Sequence, residues 1–267
     1  MFSNFEIVTF INRPIFYFTM IVLDSILKEL DKKKKLLEEK LEHKNIVDML
    51  RDLFRTSIQE EANIHSCKIE YEKEEFRKAC LNDLTNAQEW GLNNFDIEVG
   101  KDFILELTKK VEPWIVKEYR AYSIQISGAL VQPPKASLVK PEIERFEKQM
   151  IYGRNKLKNG EISPVELAIL AHYHLLRIHP FEDGNGRTSR LVQNLILHHS
   201  KFPPAMLYES EKSDYILHLR GADCAFKQRD STDYWNNISD GEGNLYNYLA
   251  SKVLLSLDLP IGGVYKK

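Results

Sequence analysis

The sequence predicts a mostly α-helical protein with one short β-hairpin, and three observations carry that reading. Apolar residues recur at helical spacing along most of the chain, one segment alternates at period two, and start and stop residues bracket the central helix. The 267 residues allow one generous domain, or a core domain with a smaller helical attachment. Hydrophobic residues make up 43% and charged residues 28%, an ordinary balance for a soluble globular protein that needs neither disulfides nor metals to build a core. The formal net charge of -2 gives no global basic field for nucleic acid or an anionic membrane, so an anionic ligand has to be held by local groups.

Phe2 to Thr19 is aromatic and apolar but is interrupted by Asn12, Arg13 and Pro14. The apolar run from Ile15 to Leu23 is too short to span a bilayer, and neither a basic leader nor a small-residue cleavage site marks a signal peptide. The helical pattern becomes clean at Met20, which reads as the natural start, with residues 1–19 as a gene-model extension. Leu23, Ile26, Leu27, Leu30, Leu37 and Leu41 then fall at helical spacing, and the basic run Lys32 to Lys35 reads as a solvated face balanced by Glu38, Glu39 and Glu42. A second helical stretch covers about Asn45 to Cys80, with a turn at Gly91 to Asn94. Helix resumes near Gly100 and runs toward Val116, with Pro113 as a kink or break.

Ser123-Ile124-Gln125-Ile126-Ser127 alternates polar and apolar, Gly128 follows, and Pro133-Pro134 closes the segment, which is the hairpin candidate. Pro141 to Lys156 is helical. Ser163-Pro164-Val165-Glu166 then combines an N-cap, a proline at the first helical position and a capping box. The helix that follows to Ile178 is apolar nearly all round, which places it in the centre of its domain, and its end delivers His179. Pro180 stops it, Asp183 to Gly186 turns, and a new helix starts near Arg187 and ends at Pro203-Pro204. Helices continue through Asp214 to Phe226 and Gly243 to Leu255. The odd set Cys67, Cys80 and Cys224 lacks metal-ligand spacing and reads as reduced thiols of a cytoplasmic protein.

The chemistry concentrates in His179-Pro180-Phe181-Glu182-Asp183-Gly184-Asn185-Gly186-Arg187-Thr188-Ser189-Arg190. Gly184 and Gly186 let the backbone turn and approach a ligand closely, just before a helix N-terminus whose unpaired N–H groups favour anions. Arg187 and Arg190 lie three apart on the first turn, against the dipole preference, and a polyphosphate between them would compensate. Asp183 could hold Mg²⁺ bridging phosphate oxygens, and a neutral His179 could take the proton of an attacking hydroxyl. Phe181 reads as an inward anchor for the loop. An EF-hand register puts Phe181 and Val192 at ligand positions, and a Walker A register puts Phe181 and Arg187 where Gly and Lys belong, so both fail. His172 and His174 point to different helix faces, which removes a metal cluster with His179 and leaves them as core or surface histidines.

The twelve residues resemble the Fic family signature, His-Pro-Phe-x-(Asp/Glu)-Gly-Asn-Gly-Arg-x-x-Arg, at every fixed position. The similarity extends to Ala171-His172-Tyr173, Phe202-Pro203-Pro204, Tyr215 and Asp230 to Trp235, and covers roughly Asn45 to Leu255. The resemblance implies a mostly α-helical core with a small hairpin flap. It also implies AMP transfer from ATP to a Ser, Thr or Tyr hydroxyl of a target protein. His179 would be the general base and Asp183 the Mg²⁺ ligand. Gly184, Asn185, Gly186 and Arg187, followed by Thr188 and Ser189, would cradle phosphates, and Arg190 would hold the γ phosphate. Residues 120–134 would form the flap, with Ser127, Gly128 and Ala129 nearest the nucleotide and the target backbone added along its edge. Tyr215 and Asp223 would line the adenine pocket, Asp223 standing where Asn is common.

Many members carry an inhibitory helix, (Ser/Thr)-x-x-x-Glu-(Gly/Asn). Ser66 to Tyr71 is the best match, with Glu70 expected to pair with Arg190 and Tyr71 departing from the pattern. The division implied is 20–110 as an N-terminal helical region with the inhibitory helix, 111–255 as the Fic core and 256–267 as a tail. Family members often dimerise, so a homodimer is among the partners implied, while nucleic acid and membrane are not. The competing readings are removal of AMP with Glu70 orienting a water, transfer of another phosphate-linked group, and an inactive interaction module. The intact His179 argues against the last.

Overall fold

The computed structural model describes residues 24–35, 46–95, 99–228 and 233–263. In chain order the helices are α1 (24–35), α2 (Ile46–Glu70), α3 (Glu74–Asn94), α4 (Lys101–Val111), α5 (Ala136–Lys158), α6 (Pro164–Ile178), α7 (Asn185–His199), α8 (Lys212–Gln228) and α9 (Asp240–Gly263). A 3-10 turn, Glu209–Glu211, precedes α8. No strand occurs among the described residues, and no described helix is long and apolar enough to cross a membrane. The expected start at Met20 and the extension 1–19 lie outside the described residues.

A helix that is apolar on every face has to be surrounded, and α6 is. Val165, Leu167 to Leu170, Tyr173, Leu175 and Ile178 are all buried, each contributing about 1.5–3 kcal/mol for the large side chains. Helices α5, α7 and α9 pack around α6; α3 and α4 pack on α7, and α8 lies along α9. The start of α6 is the expected capping box: Ser163 Oγ accepts from the Glu166 N–H at 3.2 Å, and the Glu166 carboxylate accepts from the Ser163 N–H at 2.6 Å. At its other end the chain turns through His179, held in the left-handed region at φ 50, before Pro180.

The stretch read as one helix from 45 to 80 is two. It breaks at Tyr71 to Lys73, and α2 and α3 pack against each other. No Gly or Pro marks that break, so the sequence gives no local stop signal there. The reversal brings Cys67 and Cys80 to a Cα separation of 5.9 Å, where they form a disulfide. The expectation of reduced thiols therefore fails for these two and stands only for Cys224. Helix α5 begins before Pro141, which loses only one backbone bond near the helix start, and α9 continues past Leu255 to Gly263.

The hairpin expected at 123–134 is a loop with one turn, in which the Ala129 N–H donates to the Ile126 carbonyl at 3.1 Å. Its alternating pattern does not produce a ladder because the Gln132 side chain takes the place of a partner strand. The Gln132 amide accepts from the Ile126 N–H at 2.8 Å and donates to the Ile126 and Ala129 carbonyls at 3.2 Å each.

Candidate active site

The end of α6, the loop to α7 and the first turn of α7 form one wall of a cavity of about 320 Å³. His179, Asp183, Asn185, Gly186 and Arg190 line it. Asn185 fixes the loop from within: its side-chain oxygen accepts from the Phe181 N–H at 3.0 Å, and its amide donates to the Phe181 carbonyl at 2.9 Å. Phe181 is fully buried and stacks on Tyr119 at 5.2 Å. Gly184 adopts φ +77, and a Cβ there would lie 2.9 Å from Glu112 Cγ, so the turn has no room for a side chain.

His179 Nδ1 lies 3.3 Å from the Leu176 carbonyl, which can only accept. The proton therefore sits on Nδ1, and Nε2 keeps its lone pair. Burial and the nearby Arg120 guanidinium push the imidazole down to about 4, so it is neutral at physiological pH.

Arg187 and Arg190 share a face but not a role. Arg190 lines the cavity, whereas Arg187 is buried behind it. Arg187 is ion-paired with Glu112 and with Asp183 at 3.3 Å, and its guanidinium lies over the Tyr71 ring at 5.2 Å. Burial outweighs the attraction of Arg187 at Glu112, whose pKa is raised. Thr188 and Ser189 are fully buried in α7, and Ser189 Oγ donates to the Gly186 carbonyl at 2.9 Å, so neither is on the cavity wall.

The end of α2 closes one side of the cavity. Arg190 Nη2 donates to the Glu70 carboxylate at 2.7 Å, and Arg190 Nε donates to Ser66 Oγ at 2.8 Å. A Cβ on Gly186 would lie 2.5 Å from the Glu70 oxygen, so the carboxylate rests directly on the glycine turn. Burial raises the Glu70 pKa, but Arg190, Arg187 and Lys212 outweigh it and hold it below the usual carboxylate value.

The opposite side is formed by the 120–134 loop and α8. Ser127, Gly128 and Ala129 line the cavity together with Tyr215 and Asp223. Asp223 has a buried oxygen without a hydrogen-bond partner, and burial pushes its carboxyl up to about 6 against the opposing charge of Arg177.

Four contributors were not read from the sequence. Glu112 holds Arg187. Lys212 and Arg220 add positive charge to the wall. His172, buried and pushed down to about 3 by desolvation, is hydrogen-bonded to Gln193 and meets the Tyr215 hydroxyl at 2.7 Å, beside Arg190. Only the His172 to Tyr215 contact had a sequence signal, since both residues fall in the resemblance.

Among the described residues, an all-helical core brings a glycine turn, a neutral histidine and cationic side chains to one cavity. Residues 98–197 match the model of the Fic/DOC family. It is 36% identical to the protein adenylyltransferase Fic of Drosophila melanogaster over 128 residues, 46% of this chain and 25% of that protein. The chain thus spans about a quarter of the length of the curated relatives it matches. Its fold is that of a Fic domain containing signaling protein from Bacteroides thetaiotaomicron, with a TM-score of 0.67, 24% identity and coverage of 88% and 95% of the two chains. It also resembles the IbpAFic2 domain solved in complex with adenylylated Cdc42, with a TM-score of 0.57, 15% identity and coverage of 91% and 72%.

Proposed function

We propose that this chain is a protein adenylyltransferase that moves AMP from ATP to a hydroxyl of a target protein and that the end of α2 restrains it. The observation that carries the reading is the convergence of a neutral His179, the Gly186 turn and Arg190 on one cavity, in a domain whose relatives are named for that activity. In the transfer, His179 Nε2 takes the proton as the target oxygen bonds to the α phosphorus. The bond from that phosphorus to the β-phosphate bridging oxygen breaks, and pyrophosphate leaves. Arg190 and the Gly186 N–H would hold the outer phosphates.

Asp183 is the residue that would hold Mg²⁺. It lines the cavity, and one carboxylate together with phosphate oxygens suits this ion. Among the described residues no group of three or more His, Cys, Asp or Glu side chains forms a protein-only metal cage. When bound, the ion would neutralise phosphate charge.

Glu70 occupies the place where an outer phosphate would meet Arg190, which supports restraint. That a solved relative holds an adenylylated protein partner supports a protein target here. The same carboxylate lines the cavity with His179 and acts electrostatically on it, which favours a second reading, removal of AMP with Glu70 orienting a water.

The test is labelling of target proteins with α-labelled ATP and Mg²⁺ by wild type, Glu70→Gly and His179→Ala. Strong labelling by Glu70→Gly, weak labelling by wild type and none by His179→Ala is the expected order. Equal labelling by the first two rejects the restraint, and labelling that survives His179→Ala rejects the base. If wild type strips AMP from the protein labelled by Glu70→Gly, the second reading holds.

A further inference from the structure

Arg120 is buried, and among the described residues its guanidinium has no carboxylate partner. It donates instead to four carbonyls: His179 at 2.8 Å through Nε, Tyr122 at 3.0 Å through Nη1, and Pro134 at 2.7 Å and Ile178 at 3.5 Å through Nη2. Its own backbone N–H donates to the Pro180 carbonyl at 3.0 Å. The acceptors come from two places. Ile178, His179 and Pro180 end α6, where carbonyls lose their helical partners and a cation suits the dipole. Tyr122 and Pro134 are the two roots of the loop that carries Ser127 to Ala129.

Lacking a strand ladder, that loop has few other fixings. Gln132 ties it only to itself, and its tip at Gly128 sits beside Arg220, whose Nη2 would lie 2.9 Å from a Cβ built there. His179 needs fixing too, since a non-glycine residue at φ 50 holds that conformation only when its surroundings impose it.

We propose that Arg120 is a positioning residue for the transfer step: one guanidinium sets the base at the end of α6 in register with both roots of the target-facing loop. This rests on the AMP-transfer reading. A planar fork with five donors can serve carbonyls from separate segments at once, and an ammonium cannot reproduce that geometry. The expected consequence is selective, because Arg120 does not line the nucleotide cavity.

Arg120→Lys and Arg120→Gln are made in the full chain carrying Glu70→Gly. Turnover and the KM for ATP are measured separately, and amide exchange is followed along the chain. A register error of the order of 1 Å predicts a fall in kcat of about 100-fold in both variants, with the KM for ATP changed less than about threefold. Exchange across 121–134 should accelerate about tenfold, with α5 and the core of α7 unchanged. Unchanged kcat overturns the proposal, and so does faster exchange throughout α5 to α7, which would make Arg120 a general fold staple. If the Glu70→Gly parent transfers no AMP, the functional reading fails by itself. The exchange data still decide the register claim, since unchanged protection of 121–134 in the Arg120 variants overturns it.

Discussion

One wall of the cavity is held largely by bonds between sequence neighbours, and the α2 contact against it by bonds across more than a hundred residues. Asn185 to Phe181, Gly184 to Asp183 and Ser189 to Gly186 all lie within the loop and first turn of α7. Arg190 reaches Ser66 and Glu70 across 124 and 120 residues. The turn itself is fixed from within its short segment, while Arg120 at His179 and Glu112 at Arg187 hold its two ends from outside. The distal contact exists only while α2 stays docked on α7. If the proposed restraint rests on the distal bonds and the proposed transfer on the local ones, mutation should separate the two.

The largest effect expected falls on the local side. His179→Ala should cut transfer about 10³–10⁴-fold, the upper part of the range for a positioned general base. Transfer by the derepressed enzyme, followed against pH, sharpens this. Because burial lowers the His179 pKa to about 4, the base is neutral above that value and protonated below it. The rate should lose its histidine-dependent part as pH falls through about 4 and show no histidine limb between 5 and 8. A limb near 6.5 would mean that His179 is solvated in the working enzyme.

Glu112→Gln breaks the buried ion pair behind the loop and leaves Arg187 with Asp183 as its remaining carboxylate partner. A loss of about 3 kcal/mol in unfolding free energy is expected, the low end for stranding a buried charge because Asp183 remains. Chemical denaturation of the variant against the wild type checks it. On the distal side, Glu70→Gly removes one charge-assisted hydrogen bond, worth about 1.5–3 kcal/mol, and should raise transfer about 10- to 100-fold. A smaller rise would mean that Ser66 and the α2 packing hold Arg190 without it.

The same contrast decides what could be read from the sequence. The capped start of α6, its burial and the loop to Arg190 follow from neighbouring residues, so periodicity, capping and the glycine turn disclose them. Arg187 shows the limit. Spacing puts it beside Arg190, but only the fold reveals that Glu112, 75 positions upstream, draws it behind the wall. The break between α2 and α3 had no glycine or proline to mark it, and the Cys67–Cys80 bond depends on that break. The 123–127 alternation indicated an extended segment, while the competing Gln132 side chain comes from outside the pattern.

Tyr71 is the smallest test of the comparison, and it sits where the family pattern has Gly or Asn. Its ring covers Arg187 at 5.2 Å, and its hydroxyl meets Glu112 at 3.5 Å, a long bond of little worth. Burial pushes the phenol up to about 12, so the hydroxyl stays a donor across the working range. Tyr71→Phe keeps the ring and should change transfer by less than about twofold, whereas Tyr71→Gly also removes the cation–π contact, about 0.5–2 kcal/mol, and should raise transfer several-fold. If Tyr71 acts by holding the end of α2 in place, the gain disappears once Glu70→Gly has already freed Arg190, because the two residues then share one latch. A gain of the same size in both backgrounds would instead assign Tyr71 to Arg187 and the phosphate wall, independent of the restraint.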